Sequence, residues 1–271
     1  MTDTSSDETK RQDTANWAEP IVSLQVSRVP TGSLNLNVEG RQVVGPLQGF
    51  GQLWQKTFRL SLLDSALTPV EVMQIWKTNF PRFQPPQNRF FPVTGIEPGQ
   101  IVLINASATG MPLSTGVMVL YADDESFTLM TPQGHPESGW VTFSTFSEEE
   151  CTICQVQTIS RANDPLYELG FRLFASRTQD RIWTHVLDAL AAYLHEQELA
   201  TNAPEAQTRR EGKTGKFTLP VQSSKICLDP RVQWSEAKNI WSNAALRTVF
   251  YALSTPIRWL MRRLNRTKAS Q

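Results

Sequence analysis

The stretch YADDESFTLMTPQGHPESGWVTF, Tyr121 to Phe143, decides how this chain of 271 residues folds. Apolar runs rich in aromatic and β-branched residues flank two compact turn signals. Val117–Ala122 ends at Asp123-Asp124-Glu125 and Ser126–Thr131 resumes, the pattern of a hairpin with an acidic turn. TPQGHPESG then supplies two prolines and two glycines for the next reversal. Trp140–Phe146 and Thr152–Ser160 follow as strands joined across Glu148-Glu149-Glu150. Short strands in succession, with no helix between them, predict an antiparallel sheet.

Upstream, LWQKTFRLSLL places Trp54, Phe58, Leu60 and Leu62 on one face and Gln55, Thr57, Arg59 and Ser61 on the other, which predicts a half-buried strand. Thr68-Pro69-Val70-Glu71 is a capping box with proline at the first helical position. Val72, Ile75, Trp76 and Phe80 continue it as a helix that Pro81 and Pro85-Pro86 bring to an end. Arg89–Val93 and Gln100–Asn105 read as strands around a Pro98-Gly99 turn, and residues 106–115 as a loop. Downstream, Asn163-Asp164-Pro165 caps a second helix. Leu166, Leu169, Leu173, Phe174, Ile182, Val186, Leu190, Tyr193 and Leu194 form a stripe over roughly thirty residues, or about 45 Å of helix. The stripe pauses at Ser176-Arg177, where a bend is expected.

The ends differ from this middle. Residues 1–18 are polar and read as a disordered tail, 19–47 as an extended N-terminal arm with edge-strand character, and 199–230 as a linker. Residues 231–271 carry eight Arg/Lys against Glu236 alone, a net +7, so the preceding 230 residues carry −7 in a chain of formal charge zero. Tryptophans and leucines alternate with those arginines, so the segment reads as a basic amphipathic helical tail. Pro256 interrupts it, and no uncharged run reaches the twenty or so residues that a span requires. Trp241, Phe250, Arg258, Trp259, Arg262 and Arg263 are its candidate membrane contacts. An anionic membrane surface, a partner, or the acidic body of the protein itself would each satisfy its charge. The N-terminus shows no apolar signal region, and three cysteines suit a reducing compartment, so the expected location is cytoplasmic, with peripheral membrane attachment through the tail.

No motif fixes a reaction. Cys151 and Cys154 have C-x-x-C spacing, but i and i+3 point to opposite faces of a strand, and no second pair completes a zinc site. Gly212-Lys213-Thr214 lacks the earlier glycine of a P-loop, and Gly49-Phe50-Gly51 lacks the third glycine of a dinucleotide fingerprint. His135 and Glu137 are the weak candidates for acid/base chemistry, with Arg161 to position an anion. Gln155 and Gln157 alternate with apolar neighbours on a strand, where they either line a wet cavity or face water. No metal, no cofactor and no specific nucleic acid partner are expected.

Two segments, TGVMVLYADDESFTLMTPQGHPESGWVTF and ISRANDPLYELGFRLFASRTQDR, resemble a bacterial and plant domain-of-unknown-function family grouped with the START-like, or SRPBCC, helix-grip proteins. The similarity rests on Gly134, His135, Pro136, Glu137, Phe143, Ser160, Arg161, Gln179 and Arg181 and covers residues 48–198. Trp140 stands where the family often has further acidic residues, which argues against acid-dependent chemistry at that point. The resemblance implies an α+β helix-grip domain, a curved antiparallel sheet around a long C-terminal helix. Between the two it implies a cavity for a hydrophobic or lipid-like small molecule, with Gln155, Gln157, Trp140 and Phe143 as candidate contacts. The leading expectation is non-catalytic ligand binding, at a membrane surface if the tail docks there. The alternatives are an enzyme of the cyclase/hydrolase kind using the His/Glu pair, or a membrane-surface assembly protein acting through its basic tail.

Overall fold

The protein was studied as a computed structural model, which describes residues 14–63, 65–108, 111–149, 151–201 and 218–255. Eight strands form one antiparallel sheet. In chain order they are β1 (Leu53–Leu63), β2 (Asn88–Pro92), β3 (Ile101–Ala108), β4 (Met111–Ala122), β5 (Ser126–Met130), β6 (Glu137–Glu148), β7 (Cys151–Ala162) and β8 (Gln222–Asp229). Their order across the sheet is β2-β3-β4-β5-β6-β7-β1-β8. The helices are α1 (Pro69–Asn79), α2 (Pro165–Gly170), α3 (Ser176–Thr201) and α4 (Ala244–Leu253). This is an α+β helix-grip architecture, with β2 through β7 running as a meander and α3 laid over the sheet.

Local chemistry explains the element boundaries. The Thr68 side chain accepts from the Glu71 N–H while Glu71 Oε2 accepts from the Thr68 N–H at 2.8 Å, so α1 starts at its capping box. Asp164 caps α2 through Leu166 N and Tyr167 N at 2.9 and 3.0 Å, with Pro165 at the first position. In the β4–β5 turn, Asp123 Oδ1 accepts from the N–H groups of Glu125 and Ser126 at 2.9 and 2.7 Å, so the acidic turn organises itself.

Alternation divides the sheet into two apolar faces. Phe58 and Leu60 of β1, Val102 and Ile104 of β3, Phe127 of β5, Phe143 of β6 and Val156 of β7 face α1 and α3 in one buried cluster. Trp76 and Phe80 project into it from the α1 side, and Phe127 stacks on Phe143 with centroids 4.5 Å apart. On the other face Ile101, Leu103 and Met118 are covered by Leu24 and Val38 of the N-terminal arm. Within residues 14–47 the arm forms isolated bridges, Trp17 to Tyr121 and Val43 to Pro132, and no ladder.

The structure departs from several of these expectations. Residues 106–115 are not simply a loop, because β3 and β4 pair from Ile101↔Met118 as far as Ala108↔Met111. The apolar stripe of the long helix is not continuous either. Val186, Leu187, Leu190 and Leu194 are buried, whereas Leu166, Leu169 and Leu173 are exposed. A π-helical turn at Phe171–Ala175 separates the two halves, and one inserted residue swings the apolar face by about 100°. Finally, the stretch expected as a linker contains β8, which pairs with β1 from Leu53↔Asp229 to Arg59↔Gln222.

The segment expected as a separate tail is likewise built into the body where it is described. A 3-10 helix at Trp234–Ser242 leads into α4. Ala244 N donates to Gly134 O at 2.9 Å, Asn243 Nδ2 to Asp164 Oδ2 at 2.9 Å, and Asn239 Nδ2 to Gln48 O at 2.7 Å. Thr248 Oγ1 accepts from Ser114 N, and Arg247 Nε donates to Asn37 Oδ1. Gly134 has φ of 88°, and a Cβ built there would lie 2.1 Å from Ser242 O, so both the turn and its cover require glycine. The expectations for residues 1–13 of the N-terminal tail, 202–217 of the linker, and Arg258, Trp259, Arg262 and Arg263 lie outside the described residues.

Candidate functional site

Under α3 lies a cavity of about 210 Å³. Phe90, Ile104, Leu113, Val117, Leu129 and Val141 supply its sheet wall, Ile182 and Trp183 come from α3, and Phe171 comes from the π-helical turn. The space exists because the large aromatic side chains cluster around Trp76 and Phe143, while the neighbouring inner positions hold Ala106, Thr115, Gly139 and Ser160. Thr115 Oγ1 and Trp183 Nε1, on two of the lining residues, are buried without a hydrogen-bond partner. Buried polar atoms without partners are rare in native proteins and call for an explanation.

One end of the cavity is the turn Gly134–Glu137. His135 Nδ1 lies 3.0 Å from Glu137 O and 3.1 Å from Glu137 N, so the imidazole is held by the main chain two residues on. Burial pushes the His135 imidazole down to about 4, with the Glu137 carbonyl opposing, which leaves the ring neutral at pH 7. The Glu137 carboxylate does not pair with it. Its Oε1 accepts from Gln179 Nε2 of α3 at 2.6 Å. Burial raises the Glu137 carboxyl, against the nearby Lys56 charge and hydrogen bonds from Gln179 and Ser160. The expected imidazole–carboxylate couple is therefore not assembled, because adjacent turn residues direct their side chains to different partners.

Beyond Glu137 the character changes. A second hollow of about 210 Å³ shares Glu137, Ser160, Phe171 and Gln179 with the first and is otherwise lined mostly by polar and charged groups. Among them are Lys56, Arg161, Glu168, Arg172 and Lys225, with Trp54. Lys56 Nζ donates to Gln179 Oε1 and to Asp180 Oδ1, the latter at 3.0 Å, and Arg172 Nε meets Glu168 Oε1 at 2.7 Å. Lys225 Nζ sits 4.0 Å from the centre of the Trp54 ring. Glu137 and Gln179 thus form the waist between an apolar chamber and a charged one.

The other candidates fall as follows. Arg161 is 3% exposed and structural in its contacts: it donates to Gly51 O, Arg231 O and Asp229 Oδ2 at 2.7, 2.9 and 2.7 Å. Gln155 and Gln157 are on the opposite face of β7 from Cys154 and Val156. They bond to Arg59 Nε and Thr57 Oγ1 and line neither chamber. Phe143 is fully buried in the aromatic cluster and is not part of the cavity wall. Trp140 is among the lining residues, but its ring lies beside Gly45, where a built Cβ would be 3.7 Å from Cζ3. Trp241 and Phe250 are exposed on the far end of the chain. Sequence reasoning missed Lys56, Lys225 and Trp183. Lys56 carried a signal, since it is the one charge on the otherwise apolar face of β1, whereas Lys225 lies in a stretch whose composition reads as linker.

No protein-family model and no curated protein matches the chain. Solved structures do resemble it. A di-domain ARO/CYC protein, StfQ, from the steffimycin biosynthetic pathway is 11% identical with a TM-score of 0.43, over 54% of this chain and 52% of that one. This chain therefore spans about half of that protein's length. A protein from Thermus thermophilus, TTHA0849, is 12% identical with a TM-score of 0.41, over 52% of this chain and 98% of that one. A START superfamily protein from Mycobacterium smegmatis is 17% identical with a TM-score of 0.39, over 54% of this chain and 99% of that one.

Proposed function

We propose that this protein binds a small amphipathic molecule, without transforming it, in the space beneath α3. The carrying observation is the junction of an apolar chamber with a charged one across Glu137 and Gln179. Apolar pockets with a few convergent polar groups are the usual form of small-molecule sites. A dry cavity of about 150 Å³ takes up benzene, so 210 Å³ suits a somewhat larger ring system or a short chain. Native mass spectrometry of the gently purified protein, with and without added octanol, tests this. Octanol uptake is expected, and its loss in a folded Ala106→Phe variant locates it, because Ala106 is a small residue of the cavity wall. A wild-type protein that retains nothing and takes up nothing sinks the proposal.

The site acts at a membrane surface in our reading, on a separate observation. Trp241, Phe250 and Leu253 are 86, 69 and 70% exposed. The sequence that follows, residues 256–271, contains Arg258, Arg262, Arg263, Arg266 and Lys268 and no acidic residue. Exposed aromatic groups beside a basic run suit an anionic bilayer, where each basic residue near the surface is worth about 1 kcal/mol. Among the described residues no helix is long and apolar enough to cross a membrane. Full-length protein is expected to float with phosphatidylserine vesicles and not with phosphatidylcholine vesicles. Replacing Arg258, Arg262 and Arg263 together by glutamine is expected to reduce flotation at least tenfold. Equal flotation of the two proteins would remove the membrane role.

A further inference from the structure

We infer that the charged chamber is an anion-binding subsite, which takes the carboxylate or phosphate end of a ligand whose apolar part occupies the neighbouring cavity. The inference rests on the small-molecule reading above and specifies the class of ligand.

One cation of this chamber has no carboxylate contact of its own among the described residues. Its wall contains four cations, Lys56, Arg161, Arg172 and Lys225, and two carboxylates, Glu137 and Glu168. Glu168 is taken by Arg172, Lys56 by Asp180, and Arg161 by Asp229. Lys225 keeps no carboxylate within 4.0 Å among the described residues, and its ammonium instead rests on the Trp54 face. Glu137 is directed to Gln179 and Ser160 at the waist and makes no ion pair with Lys225.

Position matters as much as charge. Lys225 is paired with Lys56 across the β1–β8 ladder, so both ammonium groups emerge on the same face of the sheet. Two like charges opposite one another are destabilising, and of this pair only Lys56 has a carboxylate in contact among the described residues, Asp180 at 3.0 Å. Lys56 is nearly buried and Lys225 is exposed, so the pair runs from the inside of the chamber to its rim. An anionic head group entering there meets Lys225 first and Lys56 behind it. The four residues shared by both chambers mark where the charged one adjoins the apolar space.

Four probes with the same eight-carbon chain separate the possibilities by titration calorimetry: octanoate, octyl phosphate, octanol and octylammonium. At least one of the two anions is expected to bind about tenfold or more tightly than octanol. Comparison of the two distinguishes a carboxylate from a phosphate head group. Lys225→Met should bring that anion to within about threefold of octanol while leaving octanol binding unchanged, and Lys225→Arg should retain the preference. Thermal denaturation of each variant establishes that it is folded. If octanol binds as well as both anions, or octylammonium binds best, the anion subsite is overturned while the cavity stands. A Lys225→Met variant that keeps the anion preference overturns the role of that lysine and the inference built on it. Binding of none of the four overturns both the cavity and the subsite.

Discussion

Arg161→Met is expected to cost on the order of 3 kcal/mol of stability, read as a fall in melting temperature of roughly 6–12 °C for a domain of this size. The guanidinium is 3% exposed and donates to two main-chain oxygens and one carboxylate. Removing it strands the carbonyls of Gly51 and Arg231 and takes away one of the four hydrogen bonds to the Asp229 carboxylate. Loss of one partner of a buried ion pair typically costs 3–5 kcal/mol. The low end applies because Arg231 stays with Asp229 at 2.9 Å. Lysine should not rescue the variant, since one ammonium on a flexible stem does not reproduce a planar fork aimed at three acceptors. A ligand-positioning role would give the reverse, an unchanged melting temperature with weakened binding.

Phe143→Ala should be more damaging still, by about 3–5 kcal/mol in chemical denaturation. Its ring is stacked on Phe127 and edge-on to Trp76, Phe80 and Trp183 at 5.4, 5.2 and 5.7 Å. Few sites have so many rigid neighbours, so the hole cannot readily close. Trp183 also lines the cavity, hence the new void should join it. The variant is then expected to favour probes two to four carbons longer than the wild-type protein does. Phe143→Leu, which keeps most of the volume, should lose roughly 1–1.5 kcal/mol and show no change in chain-length preference.

Much of the sheet was legible because its devices are local. The capping box at Thr68, the Asp123 turn and the period of two in β1 each leave a signature within a few residues. What escaped depends on partners distant in sequence. Gln155 and Gln157 follow the period of a strand, yet β7 carries Ile153 and Ile159 on the same face as the glutamines and Thr158 and Ser160 on the inner one. Polarity alone could not say which face was inside, because a sheet with an arm on one side and a charged chamber on the other reverses the usual rule. The same reasoning accounts for Lys56, which alternation places inward although its charge argues for the outside. The turn at His135 and Glu137 closes one end of the cavity, but that the carboxyl would meet Gln179, forty-two residues away, was invisible. Phe143 reads as a ligand contact because an inward aromatic side chain can fill a core or line a void, and only packing distinguishes the two.

The docking of the C-terminal segment on the Gly134 turn bears on how the molecule is made. Asn37 bonds to Thr248 across 211 residues and to Arg247 across 210. These contacts become available to a nascent chain only after nearly all of the described protein has been synthesised. Closing loops of that length is slow relative to hairpin formation. During synthesis, then, the meander of strands can form while the Gly134 turn waits uncovered, with its main-chain carbonyl unclaimed. Premature termination before Asn239 would release a chain whose sheet is nearly complete but whose turn and N-terminal arm have lost their clasp. Such a fragment would lack the partners of Asn37 and of the Gly134 carbonyl and is expected to be less stable than a chain that carries residues 239–255.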